Sequence, residues 1–344
     1  MKNLFSLTTL NLIKTTCISM IKDYPMFCRL ELTSKCNFRC EFCHIHRKNN
    51  IKQDMTTNQV FTVIDALAKA GVSFLYITGG EPLIREDIVE ILRYIKKKKM
   101  YVLLGTNGSL LLEKFDKIRN YVDRVHISIK TIINFEKIAH STKETFIDVC
   151  ESIKLLKKEK IPTQINVTID KNNINEMLDI FEFLNKSFSH LYVQFSPMEL
   201  LSPDKEDNEQ MKCLLPDINL FNKNLLMIKN KYNNKLNCFD TDIKILKNKY
   251  SLMNKELCKA GNNMLVINSN GELNYPCEFL NLENIKINSK DDIKLFLDKT
   301  DKKFFYKKKV EFCRNCIDSC YVQSSYFLTI KGFLSVIKNM LFKQ

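Results

Sequence analysis

Glycine and proline are scarce, 8 and 7 of 344 residues. Against 45% apolar and 27% charged residues, that scarcity excludes collagen-like and low-complexity disordered chains and points to a compact globular protein. No uninterrupted apolar run approaches the roughly 20 residues that a membrane span needs. Lys14, Lys22 and Asp23 break up the apolar N-terminal segment, which carries no secretory signal. Internal repeats and low-complexity blocks are also lacking. Acidic residues are outnumbered, 39 against 53 Lys and Arg, giving a net charge of +14. The excess lies in short runs such as Lys96-Lys97-Lys98-Lys99 and Lys307-Lys308-Lys309, without a nucleic-acid motif. It reads as a solvated lysine face, and no nucleic-acid partner is expected.

Cysteine is what the chain has in abundance, 13 residues, an odd number that complete disulfide pairing does not accommodate. Cys36, Cys40 and Cys43 lie together near the start, and Cys258, Cys277, Cys313, Cys316 and Cys320 gather near the end. Thiols grouped at such short gaps, with no secretory signal, read as metal or cluster ligands in a reducing compartment, so a cytoplasmic location is expected. Cys17, Cys28, Cys150, Cys213 and Cys238 are isolated and read as buried free thiols.

From about residue 28 to residue 196, β-rich runs alternate with helical patterns, the mark of βα units and a parallel sheet. Strands are predicted at Cys28–Leu32, Phe74–Thr78, Tyr101–Thr106, Arg124–Ile129, Gln164–Ile169 and Leu191–Phe195. Between them, Asn58–Ala70 and Thr145–Glu159 space apolar residues as sheet-packed helices do, with Thr56 or Thr57 as a cap for the first. The expected fold is α/β, a partial (β/α)6 TIM-like barrel whose site lies at the C-terminal ends of the strands. Residues 1–27 form an N-terminal extension and 28–200 the barrel. Residues 201–320 hold a linker and a small second domain with the later cysteines. Residues 321–344 pattern as a C-terminal helix that docks on the barrel or touches a membrane surface.

Cys36-x3-Cys40-x2-Cys43 offers three thiolates to a four-iron cubane, which takes one ligand per iron and so keeps one iron open to a small molecule. The run Cys36-Asn37-Phe38-Arg39-Cys40-Glu41-Phe42-Cys43 resembles the signature of the radical S-adenosylmethionine (SAM) superfamily, with Phe42 at its aromatic position. The resemblance implies a [4Fe-4S] cluster whose open iron binds SAM and, once reduced, cleaves it to a 5′-deoxyadenosyl radical that abstracts hydrogen from a substrate. A zinc site completed by His44 or His46 is the alternative use of these thiols.

In the same family, the run Thr78-Gly79-Gly80-Glu81-Pro82 is similar to the glycine-rich loop that contacts the SAM amino group. Glycines let the backbone approach closely, and Glu81 either places a charge near an ammonium or fixes the loop. Asn107, in Thr106-Asn107-Gly108, and Ser128 match further SAM-contacting places, although Asn107 also suits a plain turn. Many members carry an acid two places after the serine, where this chain has Lys130, a cation suited to the SAM carboxylate or to an anionic substrate. Asn166 and Thr168 are candidates to face the same pocket.

Cys258, Cys277, Cys313 and Cys316 supply four thiolates, enough to close a second four-iron cluster, with Cys320 spare or a substitute. Asn270-Gly271 reads as a turn between two short strands. The arrangement resembles the SPASM or shorter twitch extension of radical SAM enzymes, which implies a second [4Fe-4S] cluster. A structural zinc on the same thiolates is the competing reading.

The implied function is therefore that of a radical SAM enzyme, an oxidoreductase or modifying enzyme served by an electron donor such as flavodoxin or ferredoxin. SPASM and twitch members act on peptides or on small molecules. Fewer than thirty residues precede the first strand, which favours a small molecule, alcohol or sugar-like, over peptide maturation. A non-catalytic iron-sulfur or zinc protein is the alternative of a different class.

Overall fold

The computed structural model describes residues 24–43, 53–132, 141–188, 191–200, 205–232, 260–278 and 280–312, together with Lys14, Ile18, Ser19, Ile45, Phe135 and Ala139. Six βα-type strands come first: β1 (Phe27–Glu31), β2 (Phe74–Thr78), β3 (Tyr101–Thr106), β4 (Arg124–Ile129), β5 (Thr163–Ile169) and β6 (Tyr192–Pro197). Helices α1 (Thr57–Lys69), α2 (Ile88–Lys97), α3 (Leu111–Ile118), α4 (Lys143–Lys158) and α5 (Met177–Ser187) lie between them in turn. Strand and helix bounds match the sequence expectations to within one or two residues, the usual scatter at element ends.

The sheet runs β6-β5-β4-β3-β2-β1 with every pair parallel. Side chains alternate between its faces. One face carries Leu30, Ile77, Leu104, Ile127, Ile165 and Val167, all fully buried beneath the helices. Burial stabilises by about 1.5–3 kcal/mol for each such side chain. The helices supply the matching stripes: Val60, Val63, Ile64 and Leu67 on α1, and Ile88, Ile91, Leu92 and Ile95 on α2. Helix α1 starts at a capping box in which Thr56 Oγ1 accepts from Gln59 N–H and the Gln59 side chain accepts from Thr56 N–H. The opposite face is polar, with Arg29, Tyr76, His126, Gln164, Asn166 and Gln194 on it, as the interior of a partial barrel around a polar ligand requires.

Beyond β6 come α6 (Lys205–Met211) and α7 (Ile218–Tyr232), then β7 (Met264–Ile267), β8 (Glu272–Tyr275) and β9 (Glu283–Lys286), and last α8 (Asp292–Lys299) and α9 (Lys302–Phe312). β7 pairs in parallel with β1, and β7, β8 and β9 run antiparallel. The Asn270-Gly271 turn joins β7 and β8, with Gly271 N–H donating to Asn268 O at 2.8 Å. Strands beyond the expected boundary near residue 200 thus extend the barrel's own sheet along β1. The expected helix over residues 321–344 lies outside the described residues. Among the described residues no helix is long and apolar enough to cross a membrane.

Candidate cofactor site

The three early cysteines sit in the loop leaving the C-terminal end of β1, and none of the three forms a disulfide. Asp54 anchors the start of that loop, accepting from Thr33 Oγ1 at 2.6 Å and from Ser34 N and Oγ, each at 2.9 Å. Burial opposes ionisation of Asp54, but hydrogen bonds from Thr33, Ser34 and Ser269 outweigh it and hold the carboxyl below the usual range. Phe38 is buried edge-on to Phe135, Arg39 N–H donates to Ala139 O, and Cys43 N–H donates to Cys40 O at 3.0 Å. Burial pushes the Cys36 thiol up to about 11; the Phe38 N–H pulls it down, while Glu81, Cys43 and Cys40 add to the rise. The thiols are therefore within electrostatic reach of one another. Among the described residues no three His, Cys, Asp or Glu side chains close on a single ion position. A four-iron cluster does not impose that requirement, because each iron takes its own thiolate. Three thiols outside any disulfide on one short loop are a donor set that fits such a cluster. His44 and His46 lie outside the described residues.

The glycine-rich loop leaves β2 directly against this one. Gly80 N–H donates to Thr33 O at 2.7 Å, and Glu81 N–H to Lys35 O at 2.8 Å. A Cβ on Gly80 would lie 2.0 Å from Lys35 O and 3.1 Å from Cys36 N, so the close backbone approach made by this glycine is to the cysteine loop itself. Pro82 opens a short 3-10 turn, Pro82–Ile84. Glu81 is fully buried, its carboxylate accepting from Thr106 Oγ1 at 2.8 Å, Asn107 N at 2.7 Å and Leu83 N at 3.1 Å. Burial pushes this carboxyl up to about 7 against the pull of those donors. Of the two roles open to Glu81, the structure shows the loop-fixing one.

Asn107 forms the turn after β3 and also reaches the cysteine loop. Its Oδ1 accepts from Ser109 N and Oγ, and its Nδ2 donates to Asn37 Oδ1 at 2.8 Å and stands 4.0 Å from Cys36 Sγ. Asn37 in turn donates to Ser109 Oγ at 2.9 Å. Ser128 is half-buried on β4, in register with Asn166 on β5. Deeper in the sheet, Gln164 Nε2 donates to Asn166 Oδ1 and to Gln194 Oε1. His126 lies edge-on to Tyr76 and is held neutral, its pKa lowered to about 3 by burial and the Arg124 charge, against a hydrogen bond with Gln164.

Of the later cysteines, Cys277 is buried just after β8, whereas Cys258, Cys313, Cys316 and Cys320 lie outside the described residues. Next to Cys277, Glu278 accepts two hydrogen bonds from the Arg29 guanidinium, at 2.7 and 2.5 Å, and Arg29 also reaches Glu31 at 2.9 Å. Sequence reasoning missed this clasp, as it missed Asn37, Asp54 and Ser109, because partners up to 249 positions apart leave no local signal. Cys213 is exposed, not buried as expected of an isolated thiol, because it sits in a short 3-10 turn, Lys212–Leu214, with no buried residue.

Residues 30–184 match the family described as the Radical SAM superfamily. The AdoMet-dependent heme synthase of Methanosarcina barkeri is 34% identical over 166 residues, 46% of this chain and 46% of that protein. A probable GTP 3′,8-cyclase of Methanocaldococcus jannaschii is 32% identical over 202 residues, 52% of this chain and 66% of that protein. The chain thus spans between about half and two thirds of the length of these curated relatives. Among solved structures, Streptococcus suis SuiB bound to precursor peptide SuiA gives a TM-score of 0.64 at 16% identity, covering 91% of this chain and 76% of that one. anSMEcpe with bound AdoMet and the Kp18Cys peptide gives 0.61 at 19% identity, covering 92% and 99%. These two likenesses concern the fold. Residues 30–184 are thus a radical SAM domain, the domain of a superfamily whose chemistry uses a [4Fe-4S] cluster and SAM.

Proposed function

We propose that this chain is a radical SAM enzyme in which Cys36, Cys40 and Cys43 hold the [4Fe-4S] cluster and a polar substrate occupies the amide-lined face of the sheet. The observation that carries the reading is the way the cysteine loop is tied to the ends of β2 and β3. The Thr33 and Lys35 carbonyls accept from Gly80 N–H and Glu81 N–H, and Asn37 bonds Asn107 and Ser109. When bound, the cluster and SAM supply reductive cleavage of a carbon-sulfur bond and the power to abstract hydrogen. Gly79, Gly80 and Pro82 shape the SAM loop, Glu81 braces it, and Asn107 and Ser128 offer polar contacts at the strand ends. His126, neutral and half-buried, contributes shape and no charge.

The favoured substrate is a small alcohol or sugar-like molecule that is oxidised. Its hydroxyls match the Asn166 and Ser128 groups near the strand ends, and the name of the cyclase relatives specifies GTP, a small molecule. Peptide maturation is the second reading, since the SuiB and anSMEcpe structures of like fold are described with peptides. Cys277, with Cys258, Cys313 and Cys316, or Cys320 in place of one, is assigned to a SPASM- or twitch-like second [4Fe-4S] cluster, with zinc as the competing occupant. A flavodoxin or ferredoxin is the proposed electron donor, and the cytoplasm the proposed location. Anaerobically reconstituted protein given SAM and a reductant should release 5′-deoxyadenosine, and Cys40→Ala should abolish it. Near wild-type release from Cys40→Ala would refute the assignment.

A further inference from the structure

Lys130 follows β4 at its C-terminal end, within the ring of strand ends that carries the cysteine loop. Its Nζ donates to Thr168 Oγ1 at 3.1 Å and stands 4.4 Å from the centroid of the Phe42 ring. Phe42 lies between Cys40 and Cys43, so the ammonium is held over the loop that presents the thiols. Two other half-buried lysines pair with carboxylates, Lys96 with Asp123 and Lys98 with Asp65. Lys130 forms no such ion pair among the described residues; one neutral hydroxyl and one aromatic face are its partners. An ammonium taken out of water with so little compensation calls for an anion nearby. Burial lowers the Lys130 pKa, and the groups that favour its charge are Cys40, Cys43, Asp170 and Cys36, in that order. Three of these four are the thiols of one loop.

Resting on the function proposed above, we infer that Lys130 is the charge partner of the thiolate set Cys36, Cys40 and Cys43, and makes the cluster they hold easier to reduce. A cubane with three thiolates carries net negative charge, and reduction adds one more electron; net charge is one of the factors that set such potentials. The fixed ammonium stabilises the reduced state more than the oxidised one. The electron comes from an external donor, and Lys130 keeps its proton and its charge throughout. A carboxylate at this place would act in the opposite sense.

The test measures the reduction potential of the full-length, anaerobically reconstituted protein by EPR-monitored titration with dithionite, in the absence of SAM. Lys130→Met keeps an apolar stem and removes the charge. It should lower the reduced-to-oxidised ratio about tenfold at a given potential, a shift of about 59 mV for one electron. Lys130→Arg should stay near wild type. An unchanged potential in Lys130→Met overturns the inference, and weaker SAM binding in that same variant would reassign the lysine to the SAM carboxylate. If Lys130→Met assembles no cluster although circular dichroism shows an intact fold, Lys130→Gln carries the same measurement. Cluster loss in both neutral variants with rescue by Lys130→Arg supports the pairing, and loss without rescue overturns it. Wild-type protein that assembles no four-iron cluster refutes the proposed function itself, a result distinct from an unchanged potential.

Discussion

Gly80 has no room for a side chain, because a Cβ would run into Lys35 O and Cys36 N, both backbone atoms that cannot swing away. Gly80→Ala is therefore expected to displace the cysteine loop and to cost about 1–3 kcal/mol of stability, the usual penalty of overpacking. Iron per chain after reconstitution should fall along with SAM binding; full iron content with only SAM affinity reduced would show that the loop tolerates the methyl group. Asp87 illustrates a charge effect on the same framework. Arg85 donates to Leu32 O, to Met55 O and through two bonds to Asp87, tying the end of β1 to the start of α1. Burial raises the Asp87 carboxyl, but the hydrogen bonds from Arg85 and Thr57 outweigh it and hold it below its ordinary value. Since the folded pKa lies below the unfolded one, this stabilisation is present in full above about pH 3.9 and is lost as pH falls through the folded value. Asp87→Asn should cost about 1–3 kcal/mol at pH 7 and progressively less towards pH 3. Denaturation midpoints of the two proteins across that range check it, and a gap that does not narrow contradicts it.

At the scale of elements, the parallel strands and their covering helices carry a division of labour. Alternate residues of each strand build the apolar seam under the helices, and the others line the face on which chemistry takes place. Arg29 shows how β1 and the segment after β8 meet on that face. It stands on β1, and its guanidinium holds Glu31 and the Glu278 that follows Cys277. Arg29→Met would leave two buried carboxylates facing each other without the guanidinium, at a cost on the order of 3–5 kcal/mol. Thermal unfolding should register the loss at pH 7. An unaltered melting temperature would show that the clasp is not what holds the Cys277 loop to β1.

The whole molecule joins the radical SAM domain and the later strands in one sheet, with β7 laid beside β1. That pairing brings Cys277 to the strand that leads into the first cysteine loop. If Cys258, Cys277, Cys313 and Cys316 hold a second cubane, reconstituted protein should carry about eight irons per chain, since each cubane contributes four. Replacing Cys36, Cys40 and Cys43 together should leave about four, with a spectrum that SAM does not perturb because no iron remains open. Stoichiometric zinc and no residual iron in that triple variant would recast the later cysteines as a structural staple.

The order of strands and helices was legible from residue 28 to residue 196, because apolar periodicity is local: each strand or helix writes its own buried face into consecutive positions. The cysteine spacing and Thr78-Gly79-Gly80-Glu81-Pro82 were legible for the same reason, being short runs on single loops. What those residues touch was decided by tertiary structure. That Gly80 backs onto Lys35, that Glu81 braces β3 from within, and that Asn37 meets Asn107 follow from strands laid side by side. The place of β7 against β1, and with it the Arg29–Glu278 clasp, joins residues more than 230 positions apart. Long-range pairing depends on which surfaces remain to be buried once the local elements exist, and no short window of sequence contains that information.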